Sequence, residues 1–358
     1  MILRLKHRIR SEAKKLASKW RFAAAVDRAN KKAWADYRQI IKLRPEAALS
    51  SAQMRQIKDY ARDILGSRDH APGLFAYAAW RGEFLEGLIP SSYFHAVLIP
   101  SWTPFPSYDR KTFAKRILVD PPMTDLVYFI RGFWLDASYR PIPRDAVIDH
   151  LFSDCDRVFV KTDVSLQGLG VHKATRDDFD ITSIERLGDL VIQAPIYQHS
   201  WFDDFTPGSV ATVRITTVKM PGAPAQARAC YLRLARAGAD IVRSAESIRV
   251  AVNAQTGALS ADGVTYDWRT IAAHPDSHQP FGGRSIPHFD RLLEFCRQQH
   301  DSTPISGLIG WDVTIDRNDD PVLIEWNQGR ANISFMETVD GPGFRGLAWE
   351  NVWKASQD

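Results

Sequence analysis

Two adjacent strand-like runs near the C-terminal end constrain the fold more than any other part of the chain. In the first run, Gly307–Asp316, apolar and polar residues alternate with a period of two, which predicts a half-buried β-strand. A turn-forming cluster, Arg317–Pro321, leads into a second run with the same alternation, so the pair predicts a β-hairpin. Asp312 from the first strand and Glu325 and Asn327 from the second share its polar face.

These three oxygen-bearing side chains form a candidate metal site. If the turn centres near Asn318 and Asp319, Asp312 lies opposite or diagonal to Glu325 and Asn327. Mg²⁺ or Mn²⁺ prefers carboxylate and amide oxygens and completes its shell with water and substrate phosphates. The alternative is an ordinary polar face of an antiparallel sheet. Because this face offers hard oxygens without a lysine, we favour the metal site.

Composition restricts the class of protein. The 358 residues are 45% hydrophobic, enough for one large domain or two to three small ones with packed cores. We find no run of eighteen apolar residues, and the charged N-terminus lacks an apolar signal core, so we expect neither a membrane span nor secretion. The three cysteines lie far apart without metal-binding spacing, which is typical of a reduced cytoplasmic protein.

Positive charge is concentrated at the N-terminal end. Residues 1–70 hold 18 Lys and Arg against 7 Asp and Glu, or +11, whereas the remainder holds 28 against 35, or −7. Leu5, Ile9, Leu16 and Trp20 recur at helical spacing within this basic stretch, which predicts an amphipathic helix. It could bind an anionic membrane or a partner protein, or simply pack on its own chain. We expect no nucleic-acid partner, because aromatic residues do not interleave with the basic ones.

The pattern along the chain predicts a helical region followed by a mixed body. Residues 1–87 are basic and helical in pattern, and the proline-bearing segment 88–108 marks a boundary. From residue 109 onward, short helices and strands alternate, which predicts an α+β body over 88–358. We divide this body into subdomains at about 109–195 and 196–345.

A strand that ends in a lysine and a glycine loop is a candidate phosphate site. Arg157–Val160 leads into Lys161 and then a loop with Gly168 and Gly170. Glycines let backbone N–H groups approach phosphate oxygens, and the lysine supplies a positive charge. A plain β-hairpin turn explains the same pattern, and from the spacing alone it is the favoured explanation.

Two further strands carry candidate ligand-binding groups. The strand that ends in Gln193–Ile196 contains a proline, and its free backbone groups beside apolar residues suit an adenine ring, although an edge strand with a proline is the alternative. Arg214 lies in a strand of β-branched residues and needs an anionic partner, either a phosphate or a structural Asp.

The order of these features resembles the ATP-grasp superfamily. More narrowly, "GLIPSSYF", "HPDSHQPFGGRSIPHFDRLLEFC" and "GWDVTIDRNDDPVLIEWN" are similar to the sugar-transfer associated ATP-grasp branch, which is related to alpha-L-glutamate ligases. The resemblance covers about Leu88–Asn332 and is most specific in the metal hairpin. It implies an ATP-grasp fold, in which two α/β subdomains clasp ATP, here with a helical N-terminal region.

The resemblance also implies roles for individual residues. Asp312, Glu325 and Asn327 would hold one or two Mg²⁺ (or Mn²⁺) ions. The residues implied in ATP binding are Lys161, an earlier lysine taken as Lys111 with Lys115 as the alternative, the loop residues Ser165, Gln167, Gly168, Gly170 and Val171, and the hinge residues Gln193, Ala194, Pro195 and Ile196. Gln193 stands where many relatives have a Glu.

The implied chemistry is ligation of a carboxylate to an amine at the expense of ATP. The carboxylate attacks the γ-phosphate to give an acylphosphate and ADP, and the amine then displaces phosphate. Arg214 and Arg330 are candidates for stabilising the transferring group and Arg284 for binding an acceptor carboxylate, with structural ion pairs as the alternative. Two other functions stay open: a phosphotransferase acting on a hydroxyl, and a non-catalytic nucleotide-binding partner of a surface-glycan or peptide-tailoring system.

Overall fold

The computed structural model describes residues 2–102, 110–163, 170–239, 241–243, 246–328 and 331–356. They divide into two compact units, Met1–Pro104 with Asn332–Asp358, and Phe105–Ala331. We refer to them as the helical unit and the sheet unit. The predicted boundary was at residue 88, whereas the helical unit extends to Pro104 and includes residues 332–345, which we had predicted to belong to the second subdomain, at about 196–345.

The predicted α+β class is confirmed. The α-helices are α1 Ile2–Leu43, α2 Ser51–Leu65, α3 Ala71–Arg81, α4 Ser91–Tyr93, α5 Ile99–Trp102, α6 Ala114–Ile117, α7 Val147–Leu151, α8 Ile181–Glu185, α9 Ser200–Asp203, α10 Phe289–Ser302 and α11 Ser334–Val339. Shorter turns are 3₁₀ at Pro45–Ala47, Arg68–His70, Lys111–Phe113, Arg144–Ala146 and Trp349–Ser356, and π at Phe94–Leu98. Across the described residues, every helix is too short or too polar to span a lipid bilayer.

The strands form two mainly antiparallel sheets in the sheet unit. They are β1 Asp125–Ile130, β2 Phe133–Asp136, β3 Arg157–Thr162, β4 Val171–Thr175, β5 Leu190–Gln193, β6 Thr212–Val218, β7 Gln226–Leu234, β8 Ile248–Val252, β9 Leu259–Val264, β10 Thr270–Ile271, β11 Leu308–Ile315 and β12 Pro321–Gln328. The first sheet has the order β2-β1-β5-β3-β4 and the second the order β10-β9-β8-β7-β6-β11-β12.

The helical unit is built on capped helices around the buried α3. Ser50 and Gln53 form a reciprocal capping box at the start of α2, and Gly66 ends this helix in the left-handed conformation. Residues 71–79 of α3 are all buried. The segment after residue 88, which we predicted as a boundary, forms helical turns through Trp102 instead, because its apolar residues, among them Tyr93 and Phe94, pack into this core.

A buried carboxylate ties the C-terminal segment of the helical unit to its proline-bearing segment. The Glu337 carboxylate on α11 accepts the N–H groups of Ile89 at 2.6 Å and Gly343 at 3.0 Å. Burial raises the pKa of Glu337 to about 8, even though both backbone N–H groups act to lower it. The folded state therefore binds this proton far more tightly than the unfolded chain does.

This raised pKa predicts that stability falls as pH rises. In the unfolded chain Glu337 ionises near its ordinary pKa of 4.5, so between about 4.5 and 8 the proton favours the folded state and its loss costs stability. We expect the free energy of unfolding by urea to decrease between pH 6.5 and 8.5, a window above the ordinary pKa of the histidines. Glu337→Gln cannot ionise and should flatten this slope while losing stability at every pH; equal slopes in both proteins would contradict the assignment.

Packing of the sheet unit buries the candidate metal strand on both faces. Trp311 and Trp326 lie in a core with residues of β6, β7, β8 and α10. β11 lies between β6 and β12, and all eight of its residues are buried. Our prediction of a half-buried strand was therefore wrong: alternation correctly assigned the two faces, but a central strand with a covered polar face is buried throughout.

Candidate functional site

The hairpin of β11 and β12 has the predicted register. Asp312 pairs directly with Glu325, and Gly310 pairs with Asn327, so Asp312 lies opposite Glu325 and diagonal to Asn327. The paired strand β6 brings Arg214 opposite Asp312 from the other side. The three predicted oxygen ligands therefore project from one face of the sheet, next to a guanidinium.

Asp312 is engaged by Arg214 rather than left open. Arg214 donates to both carboxylate oxygens, from Nε at 2.6 Å and from Nη2 at 2.7 Å, and Arg233 Nη1 lies 3.7 Å from Oδ2. Burial acts to raise the pKa of Asp312, but the charge and hydrogen bonds of Arg214 outweigh it and hold that pKa below its usual range. We considered a phosphate or a structural Asp as the anionic partner of Arg214, and the contacts show the Asp.

A glycine makes room for this ion pair. A Cβ at Gly310 would lie 3.3 Å from Arg214 Nη1 and 3.0 Å from the Cβ of Ala331, so a side chain at this strand position would crowd the guanidinium. Sequence reasoning missed this role. The available signal was an isolated glycine inside a strand pattern, which often marks a close approach.

Two lysines reach the same carboxylate from separate elements. Lys161, at the end of β3, and Lys111, in the turn Lys111–Phe113, line one small cavity together with Gln193 and Glu325. Lys111 Nζ lies 3.6 Å from Glu325 Oε1. Burial lowers the pKa of the Lys161 ammonium, and the negative charges of Glu325 and Asp125 partly offset this. Lys111, rather than Lys115, lies at the cavity, as we had provisionally chosen.

Asp163 fixes the position of Lys111. Its buried carboxylate accepts from the Thr112 N–H at 3.0 Å, from Thr112 Oγ1 at 3.1 Å and from Arg110 Nη1 at 3.1 Å, so it holds the residues on both sides of Lys111. Asp163 is two residues beyond Lys161 on the same chain segment. This carboxylate thereby links the two chain segments that carry Lys111 and Lys161, a link that the sequence pattern did not show.

The hinge differs from its predicted form in two ways. β5 is the central strand of its sheet, so the edge-strand alternative is wrong, and Pro195 lies beyond its end. The backbone of Ala194 is not free, because its N–H donates to the Thr124 carbonyl at 2.8 Å and its carbonyl accepts from Thr124 Oγ1 at 3.0 Å. A second, larger cavity borders Pro195, Ile196 and Phe159. The hinge thus offers cavity walls and the Gln193 side chain rather than a free Ala194 backbone.

One member of the donor set, Glu325, is placed for a hard cation, because its side chain is 35% exposed and lines the cavity. The Asn327 Nδ2 is buried without a hydrogen-bond partner among the described residues. This nitrogen is a donor, so a cation would bind the Oδ1 of the same amide instead. Carboxylate and amide oxygens are the ligands that Mg²⁺ prefers. Asp312, already paired with Arg214, has only its remaining lone pairs to offer.

The other predicted residues have separate outcomes. Ser165, Gln167, Gly168 and Arg330 lie outside the described residues. Gly170 accepts the Thr162 N–H at 3.0 Å and Val171 pairs with Lys161, so the glycine segment joins two antiparallel strands, as the hairpin explanation required. Arg284 forms an ion pair with Asp204 and stacks over Phe205 at 4.5 Å and Trp201 at 4.9 Å, a structural arrangement.

A second polar cluster does not suit a metal ion. Nitrogen and oxygen atoms of His199, His288 and Asp319 lie within 4.8 Å of one another. His199 Nδ1 accepts the Trp201 N–H at 3.0 Å, which caps α9 and places the ring proton on Nε2. That Nε2 lies 3.4 Å from Asp319 Oδ1. Because a metal needs the Nε2 lone pair, the cluster is better explained as two histidines in contact with one carboxylate, each at 3.4 Å.

A family comparison agrees with this geometry. The family described as sugar-transfer associated ATP-grasp matches residues 168–352, which is more than half of the chain. The match includes the metal hairpin, the hinge and α11. No curated protein matches the sequence.

Solved structures of ATP-grasp enzymes have distant similarity to the chain. A D-alanyl-alanine synthetase A from Vibrio cholerae is 13% identical, with 70% of this chain and 66% of that chain covered and a TM-score of 0.41. An N5-carboxyaminoimidazole synthetase from Staphylococcus aureus, complexed with ADP, is 11% identical, with 69% and 53% covered and a TM-score of 0.42. The ATP-grasp ligase PsnB, complexed with a minimal precursor, is 14% identical, with 87% and 77% covered and a TM-score of 0.40. The chain thus spans about two thirds or less of the first two proteins.

Proposed function

Because the chain belongs to the sugar-transfer associated ATP-grasp family, we propose that it is an ATP-dependent ligase that joins a carboxylate to an amine through an acylphosphate. The predicted ATP-grasp fold, with a helical N-terminal region, is confirmed. The observation that supports the proposal most directly is the cavity where Lys111 and Lys161 face Glu325 beside Gln193. Two cations and a carboxylate at one cavity suit a polyphosphate and its counter-ion.

The proposed reaction has two steps. The substrate carboxylate attacks the γ-phosphorus, the bond to the bridging oxygen breaks, and ADP leaves; the amine then attacks the acyl carbon and phosphate leaves. Lys161 and Lys111 would neutralise phosphate charge and hold the chain of phosphates in line. Glu325 and Asn327 would hold Mg²⁺, which supplies charge neutralisation between the phosphates when bound. Arg214 would keep Asp312 ionised beside them.

The basic N-terminal end of α1 is proposed as a docking element. It belongs to the basic stretch 1–70, which holds 18 Lys and Arg against 7 Asp and Glu and suits an anionic membrane or an acidic partner protein. This part of the helix is separate in sequence from every residue proposed for ATP chemistry. It would place the enzyme near its substrate rather than take part in the reaction.

Product analysis tests the proposal. With Mg²⁺, ATP and a panel of carboxylates and amines, we expect continuous release of ADP and inorganic phosphate in equal amounts when both co-substrates are present. When hydroxylamine replaces the amine, it should displace phosphate from the acylphosphate and give a hydroxamate. A phosphorylated hydroxyl product without free phosphate would establish the phosphotransferase alternative. Nucleotide binding with no turnover on any substrate would favour the non-catalytic partner.

A further inference from the structure

A buried carboxylate controls the side chain of Gln193. Asp125, only 4% exposed at the start of β1, pairs with Gln193 across the β1–β5 ladder. Its carboxylate accepts from Gln193 Nε2 at 2.5 Å and from the Tyr128 hydroxyl at 2.6 Å. Among the described residues, Asp125 is the hydrogen-bond partner of the Gln193 side chain. The ligase mechanism proposed above makes no use of Asp125.

The hydrogen bond to Asp125 determines which atom of the Gln193 side-chain amide can contact a ligand. Asp125 Oδ1 accepts the hydrogen bond from Gln193 Nε2, so the amide nitrogen faces Asp125. The carbonyl oxygen Oε1 is then the group left for the cavity that Gln193 lines. Without such a partner, a glutamine can rotate its amide and serve as donor or acceptor; here it is held as an acceptor.

We propose that Asp125 is a positioning residue for nucleobase selection, which holds Gln193 Oε1 to accept a hydrogen bond from the exocyclic amine of adenine. Guanine and hypoxanthine carry an oxygen at that ring position, and two acceptors facing each other in a buried site repel and leave both unpaired. This inference rests on the proposed function, since it assumes that the base lies against the hinge. It goes further by assigning the selection to a pair of residues.

The surroundings support a role beyond packing. Gln193 is 3% exposed and neighbours Phe159 in the sheet, on the side of β3 that also carries Lys161. Asp125 acts electrostatically on Lys161 as well, since its charge helps to offset the lowered pKa of that ammonium. One carboxylate thus binds the proposed base-reading group and acts electrostatically on the proposed phosphate-binding group. A merely structural Asp125 would affect stability but not the choice between bases.

Competition between ATP and purine riboside triphosphate isolates this hydrogen bond, because that analogue carries hydrogen in place of the exocyclic amine and keeps the ring nitrogen N1 as an acceptor. We expect the wild type to bind ATP about tenfold or more tightly than purine riboside triphosphate, the effect of one buried unpaired acceptor. In Asp125→Asn the new amide can donate or accept, so Gln193 can rotate and the preference should fall severalfold. Asp136→Asn makes the same change at a carboxylate that binds Arg140 instead and should keep the wild-type ratio.

The outcomes separate this inference from the proposed function. Equal affinity of the wild type for both nucleotides, or an unchanged ratio in folded Asp125→Asn, would overturn the inference alone. Failure to bind either nucleotide would overturn the proposed function and the inference with it. If Asp125→Asn does not fold, Gln193→Leu provides the test, because its side chain can neither donate nor accept and the preference for ATP should disappear. Retention of the preference in that variant would overturn the inference.

Discussion

Lys161→Met is expected to abolish the thermal stabilisation that ATP gives the wild-type protein. Lys161 is the strand-end lysine at the cavity, and its ammonium lies among the negative charges of Glu325, Asp125 and Asp312. Removing it takes away a charge-assisted phosphate contact and leaves those carboxylates to repel the nucleotide, a loss of about 10- to 100-fold in affinity. By linkage, an ATP concentration that raises the wild-type melting temperature would no longer do so.

The measurement is thermal unfolding with and without ATP, in Mg²⁺ and in EDTA. Each protein is compared with its own nucleotide-free sample, so a change in basal stability does not enter. Lys115→Met is the control, because Lys115 lies four residues from the cavity lysine Lys111 but does not itself line the cavity. If ATP raised the melting temperature of Lys161→Met as much as that of the wild type, Lys161 would have no role in phosphate binding. If Lys115→Met lost the shift and Lys161→Met kept it, the phosphate-binding lysine would be Lys115.

Glu325→Gln is expected to lower Mg²⁺-dependent ADP formation by about 100-fold or more while the fold is retained. Gln keeps the shape of the side chain but removes the charge that would hold the cation and that faces Lys111 at 3.6 Å. Because the Glu325 side chain is 35% exposed, its loss of charge costs little stability. The measurement is the initial rate of ADP release, with a thermal scan as the check on folding.

Comparison with Asp312 shows why Glu325 is the better probe. Asp312→Asn would leave the buried Arg214 guanidinium without its anionic partner, a change that costs about 3–5 kcal/mol in buried pairs. Activity lost in that variant would not separate chemistry from unfolding. Glu294→Gln on α10, an exposed carboxylate that contacts Gln298, serves as the charge-matched control for Glu325. Full ADP release in Glu325→Gln would exclude this residue from the metal site.

The proposed base selection and the lysine site make separable predictions. Lys161→Met should weaken the binding of ATP and of purine riboside triphosphate alike, because both carry the same triphosphate. Asp125→Asn should change their ratio. If either variant changed both the overall affinity for the nucleotides and the ratio between them, the phosphate contact of Lys161 and the proposed base contact of Gln193 would not be independent.

The sequence pattern was sufficient to predict those structural features that are formed by one short segment of the chain. The alternation through Gly307–Asp316 and the turn cluster that follows it predicted the hairpin and the pairing of Asp312 with Glu325. Lys161 was predicted at the end of its strand from the same local order, whereas Lys111, with Lys115 as the alternative, was implied by the resemblance to the ATP-grasp superfamily. Side-chain period and turn chemistry are properties of neighbouring residues, so these features could be read from one sequence.

Partners distant in sequence could not be read in this way. Asp125 and Gln193, Asp163 and Thr112, and Arg214 and Asp312 are each brought together by strand pairing or by chain segments that meet in the fold. The alternatives for Arg214 stayed open because a strand arginine needs an anion, but its sequence does not specify which one. The same limit hid the clamp made by Glu337 on Ile89, two segments 248 positions apart.

The sequence by itself determined the family, the two polar strands of the metal hairpin and the lysine at the end of β3, because each depends on residue type and short-range spacing. Only the tertiary structure decided which groups remain available to a ligand. It paired Asp312 with Arg214, left Glu325 at the cavity, and turned Gln193 into an acceptor through Asp125. Availability depends on which buried donors and acceptors already have partners, and that is settled only when distant segments pack.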